Sequence, residues 1–131
     1  MTPSPPAVIV HGTVHVHTAR TAGWPVTLLS APGAALYAGA PWWAALLRDT
    51  AFTGPALLDC AAAPGRAVEA LRLGLKGVVL APCPAWDEVA ALAAATGALL
   101  LPAAPPALDL ALPGAARHLP AWLAGATIIP P

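Results

Sequence analysis

Few residues in this chain can do chemistry, and most of them close short apolar runs. Asp59 follows Ala56-Leu57-Leu58 and precedes Cys60. A carboxylate in that position serves as a general base, a substrate ligand or a metal ligand. Its structural use is to cap the loop or helix that follows. Cys60 is a nucleophile or soft ligand if its thiolate is accessible, and a small buried hydrophobe otherwise. The same pair of readings applies to Cys83, which follows Val78-Val79-Leu80-Ala81-Pro82. His11 ends Val8-Ile9-Val10 and is followed by Gly12, His15 and His17. In a strand these three imidazoles share a face; in a helix only His11 and His15 do. No carboxylate lies close in sequence and no zinc spacing is present, so no metal is assigned. Asp59, with Cys60 or His11, is therefore the candidate catalytic set. Gly12, Ser30, Gly33, Asp59 and Cys83 are the candidate ligand contacts.

Other chemistries lack their residues. Ser30-Ala31-Pro32-Gly33 joins a strand to a helix, where backbone N–H groups bind anions. It has a single Gly, a Pro without a donor and no following Lys, so it is not a phosphate loop. Ser30 also lacks the flanking glycines of a nucleophile elbow. The six acids (Asp49, Asp59, Glu69, Asp87, Glu88 and Asp109) offer no convincing glycosidase pair.

Positioning these groups requires a regular scaffold, and the apolar runs supply its pattern. Strands are expected at 7–11, 25–29, 56–59, 78–81 and 98–101. Each is a continuous apolar run rather than an alternating one, as in strands buried on both faces of a parallel sheet. Helix-compatible stretches separate them. For 12–22 a short helix is favoured over a strand, with Arg20 in its last turn and Gly23 just beyond. Helices follow at 33–38, 42–50, 64–73 and 84–96, the last opening with Asp87 and Glu88 and closing at Gly97. The expected fold is a single three-layer α/β domain. It has a five-stranded, mostly parallel sheet in a flavodoxin-like or Rossmann-like order such as 2-1-3-4-5. A half-barrel is the alternative. Ligands of such sheets bind at the carboxyl ends of the strands. In that order β1 lies beside β3, which would bring His11 to Asp59 and Cys60. The domain is expected to span 7–106, with a disordered N-terminus at 1–6. A Pro-rich strap at 107–131 would cover a sheet edge or a neighbouring subunit.

Composition bounds the partners. Only 9% of the 131 residues are charged, the net charge is zero and 58% are hydrophobic. So small a charge favours homo-oligomerisation. Six scattered Lys and Arg form no basic stripe, which argues against nucleic acid. Mean hydropathy is +0.71, yet prolines interrupt both long uncharged stretches, which argues against membrane insertion. Adjacent Trp42 and Trp43 point in different directions on a helix, one inward and one toward an interface. Two cysteines and no export signal point to free thiols in a reducing cytoplasm.

The segments Leu58-Asp59-Cys60-Ala61-Ala62-Ala63-Pro64-Gly65-Arg66-Ala67 and Thr27-Leu28-Leu29-Ser30-Ala31-Pro32-Gly33-Ala34-Ala35 resemble the uncharacterised small α/β proteins of high-GC bacteria. That resemblance implies a bacterial source and transfers no activity. The β-α units also resemble part of a barrel aldolase, but no strand carries the Schiff-base lysine, and Lys76 precedes the fourth strand. The expected function is a self-associating α/β module that binds a small ligand, an anion among the options, at the strand ends. The alternative is a small enzyme using Asp59 with Cys60 or His11.

Overall fold

The computed structural model describes residues 4–125. Its elements are β1 (Ala7–Ile9), α1 (Thr13–Thr21), β2 (Thr27–Leu29), α2 (Ala34–Tyr37), α3 (Ala40–Asp49), β3 (Ala56–Asp59) and α4 (Pro64–Arg72). They continue through β4 (Gly77–Val79), α5 (Trp86–Thr96), β5 (Leu99–Leu101), β6 (Ala107–Asp109), a 3-10 turn (Ala115–His118) and α6 (Leu119–Leu123). Local chemistry explains the boundaries. Gly23 leaves α1 at φ 79°, a left-handed conformation that costs glycine little. Prolines occupy the first turns of α3 and α4, where a missing N–H is harmless. Asp87 and Glu88 sit in the first turn of α5, where the helix dipole favours negative charge. Gly77 opens β4 because a Cβ there would collide with the Ala56 carbonyl oxygen of β3.

The chain forms an α/β domain with a single sheet of six strands, all paired in parallel. The spatial order is β5-β4-β3-β2-β1-β6, which corrects the expected 2-1-3-4-5. Each strand from β2 to β5 lies beside its predecessor, so each crossover steps in the same direction. Right-handed crossovers that never reverse place their helices on one face. The buried residues of the helices accordingly join one cluster with Val8, Leu28, Leu58 and Val78. Alternate strand residues form a second cluster on the other face: Leu29, Leu57 and Val79, flanked by Ile9, Leu101 and Ala107.

The sheet must curl. β5 and β6 are separated by five inter-strand steps, about 24 Å if the sheet were flat. The chain passes from Leu101 to Ala107 in six residues, which reach about 22 Å at full extension. The second cluster is therefore the concave face. Leu29, Leu57 and Val79 are 2–4% exposed there, and among the described residues no helix residue joins their cluster.

β6 falls where the sequence pattern ended the regular unit. It pairs with β1, and Leu119 and Leu123 of α6 join the helix-side cluster. Trp122 ties that helix to the sheet, its indole Nε1 donating to the Ala7 carbonyl at 2.8 Å. Of the N-terminal segment expected to be disordered, residues 1–3 lie outside the described residues, as do 126–131 of the expected strap. The Pro5 and Pro6 carbonyls accept bonds from the Thr27 hydroxyl and amide. Trp43 is fully buried and Trp42 half-buried, the division expected of adjacent helix residues.

Candidate functional site

All six strands run in parallel, so their carboxyl ends share one rim. Strand alternation decides which side chains face the concavity. Ile9, Leu29 and Leu57 lie on the concave face, so the parity of β1 and β3 places His11 and Asp59 on that side, whereas Ala31, past the end of β2, packs against the helix-side cluster. Asp109 follows Ala107 by two residues on β6 and has the same parity. Leu58 and Cys60 have the opposite parity and join the helix-side cluster.

The rim brings together a pair that the sequence separates by 98 positions: His11 Nε2 lies 2.8 Å from Asp109 Oδ1. A carboxylate only accepts, so Nε2 is the donor, and in the neutral imidazole this leaves the lone pair on Nδ1. Asp109 Oδ1 also accepts the Ala111 amide at 2.9 Å, which holds the carboxylate in place. His15 completes the cluster. Its Nδ1 accepts the His11 backbone N–H at 3.0 Å, and the two rings meet edge-on with centroids 5.4 Å apart. Burial and the neighbouring His11 hold the His15 pKa below its ordinary value, against a smaller opposing pull from Asp109. The His11 and Asp109 side chains are 35% and 27% exposed, so a small molecule can reach them. His17 is exposed on α1 and takes no part.

The other predicted residues divide. Asp59 stands on the rim, but β2 lies between β1 and β3, so His11 and Asp59 are not neighbours as expected. Asp59 Oδ1 accepts the Ala61 amide at 2.8 Å, the loop-capping use. That bond steadies Ala61 at φ 51°, a left-handed conformation unfavourable for an L-residue. Ser30 is buried, and its hydroxyl accepts the Asp59 amide at 2.9 Å and donates to the Ala31 carbonyl. It fastens β2 to β3 and does not cap a helix. Gly33 (φ 69°) precedes only the four-residue α2, too short to orient backbone donors at an anion. Gly12 is the N-cap residue of α1, in extended conformation at φ 177°.

Cys60 is buried, and burial, with Asp59 and Glu69 adding, pushes its pKa up to about 12. It is a thiol at neutral pH, not a nucleophile. Cys83 is half-buried in the loop after β4, and both cysteines are free. Among the described residues no group of three His, Cys, Asp or Glu can hold a metal ion. None of the helices among those residues is long and apolar enough to cross a membrane.

Asp109 is the residue that sequence reasoning missed. Its signal was present: Ala107-Leu108-Asp109 ends in the same Leu-Asp pair as Ala56-Leu57-Leu58-Asp59. Three residues are too few for a periodicity, and the prolines on either side read as a strap. No family model, no curated protein and no solved structure matches this chain.

Proposed function

We propose that this domain binds a small polar molecule over the concave carboxyl rim, with His11, oriented by Asp109, taking up a proton from it. One observation carries the reading: the 2.8 Å His11–Asp109 bond between the ends of two adjacent parallel strands. An imidazole whose one nitrogen is fixed by a carboxylate presents the other as a directed base. Asp59, across β2 on the same rim, supplies a second acceptor for a hydroxyl or amide of the ligand. Cys60 has no part in this chemistry. The two free thiols support a reducing, cytoplasmic setting.

Ligand-observed NMR against small alcohols, amides and hydroxy acids tests the reading. The expected result is a binder lost in both His11→Gln and Asp109→Asn and retained in His17→Gln. Binders indifferent to both rim substitutions, or no binder at all, would overturn it.

Self-association is a second reading, favoured by the outer edge of β5, which pairs with nothing among the described residues and where Leu99 is 44% exposed. An apolar edge strand invites pairing with another copy. Light scattering behind size exclusion should give a dimer or larger that Leu99→Lys dissociates. A monomer at all concentrations would remove this reading without touching the first.

A further inference from the structure

We propose that a second site, at the opposite end of the sheet from the rim, binds a small aromatic carboxylate. An open cleft of about 470 Å³ lies beneath the amino ends of β1, β2 and β3. That size falls within the range of small-molecule sites. Its walls include Pro5, Trp24, Pro25, Phe52 and Pro55, all flat or ringed, and one charged residue, Arg20.

Each feature selects part of the ligand. Trp24 is 49% exposed, a large apolar ring held at the cleft with much of its surface in water. Stacking a planar ring against it removes that surface from solvent. Phe52 lays its ring over Gly54, where the absence of a side chain leaves it room, since a Cβ there would stand 2.9 Å from the ring. Arg20 sets the charge. One arm of its guanidinium donates to the Thr50 carbonyl, which anchors the group at the end of α1. Among the described residues it forms no ion pair, and no acid lines the cavity. A guanidinium has five donors, and a carboxylate accepts two of them in parallel. A neutral apolar molecule would gain nothing from the exposed guanidinium, and an inorganic anion would leave the rings uncovered. An aromatic carboxylate satisfies both. The site is independent of the His11–Asp109 reading.

The test is a titration of the full chain with 1-naphthoate, followed by tryptophan fluorescence and calorimetry. We expect saturable one-to-one binding that Trp24→Ala weakens and Arg20→Gln weakens about tenfold or more. The neutral analogue 1-naphthalenemethanol should bind the unaltered chain more weakly by a similar factor, a comparison that stands even if Arg20→Gln unfolds. Equal binding of acid and alcohol, or no saturation with the acid, would overturn the proposal. So would binding that appears only after residues 1–3 or 126–131 are removed, since the chain's own ends would then be the natural occupant.

Discussion

Replacing Ser30 with Ala removes one oxygen from the join between β2 and β3. That oxygen accepts the Asp59 amide at 2.9 Å, and Ser30 is 1% exposed. The partner left behind is a backbone N–H beside a buried side chain, so water cannot readily replace the bond. Leaving such a donor unsatisfied costs about 1–3 kcal/mol. The lost side-chain volume is a single hydroxyl and adds little. With a urea dependence of about 2 kcal/mol per molar, the unfolding midpoint should fall by about 0.5–1.5 M. Thr18→Ala is the control, since it removes a hydroxyl that bonds the Val14 carbonyl on the exposed side of α1. Its effect should stay within about 0.5 kcal/mol. Urea unfolding followed by circular dichroism measures both. If Ser30→Ala shifts the midpoint no more than Thr18→Ala, the hydroxyl does not fasten the strands, and the account of the rim's Asp59 side is wrong.

Three further outcomes follow. Under native conditions the half-buried Cys83 should react with a thiol reagent well before Cys60, which should become reactive only on unfolding; early modification of Cys60 would refute its assignment as a buried thiol. His15 has a depressed folded pKa, so the unfolded chain binds more protons; its stabilising contribution is full above about pH 6.5 and declines as pH falls toward the folded value. Unfolding midpoints from pH 7.5 to 5 should therefore drop less in His15→Gln than in the unaltered chain, and parallel curves would count against the assignment. Trp122→Phe should lower stability by about 1 kcal/mol through loss of the Ala7 bond and loosen α6, read as faster amide exchange across 119–123.

The sequence by itself determined the class of fold and the positions of β1 to β5 and the helices between them, but not β6. Continuous apolar runs mark strands buried on both faces, and glycines, prolines and acidic first turns mark the helix ends. These are local signals, carried by neighbours along the chain. Asp59 as a loop cap and the split between Trp42 and Trp43 were legible for the same reason. Tertiary structure alone decided the strand order, because an apolar run states that it is buried but not which strand lies beside it. That order put β2 between His11 and Asp59 and brought Asp109 to His11 instead. It also curled the sheet, through a connection too short to cross it flat. The contact that defines the candidate site joins residues 98 positions apart, and it exists only because six strands finish at one rim.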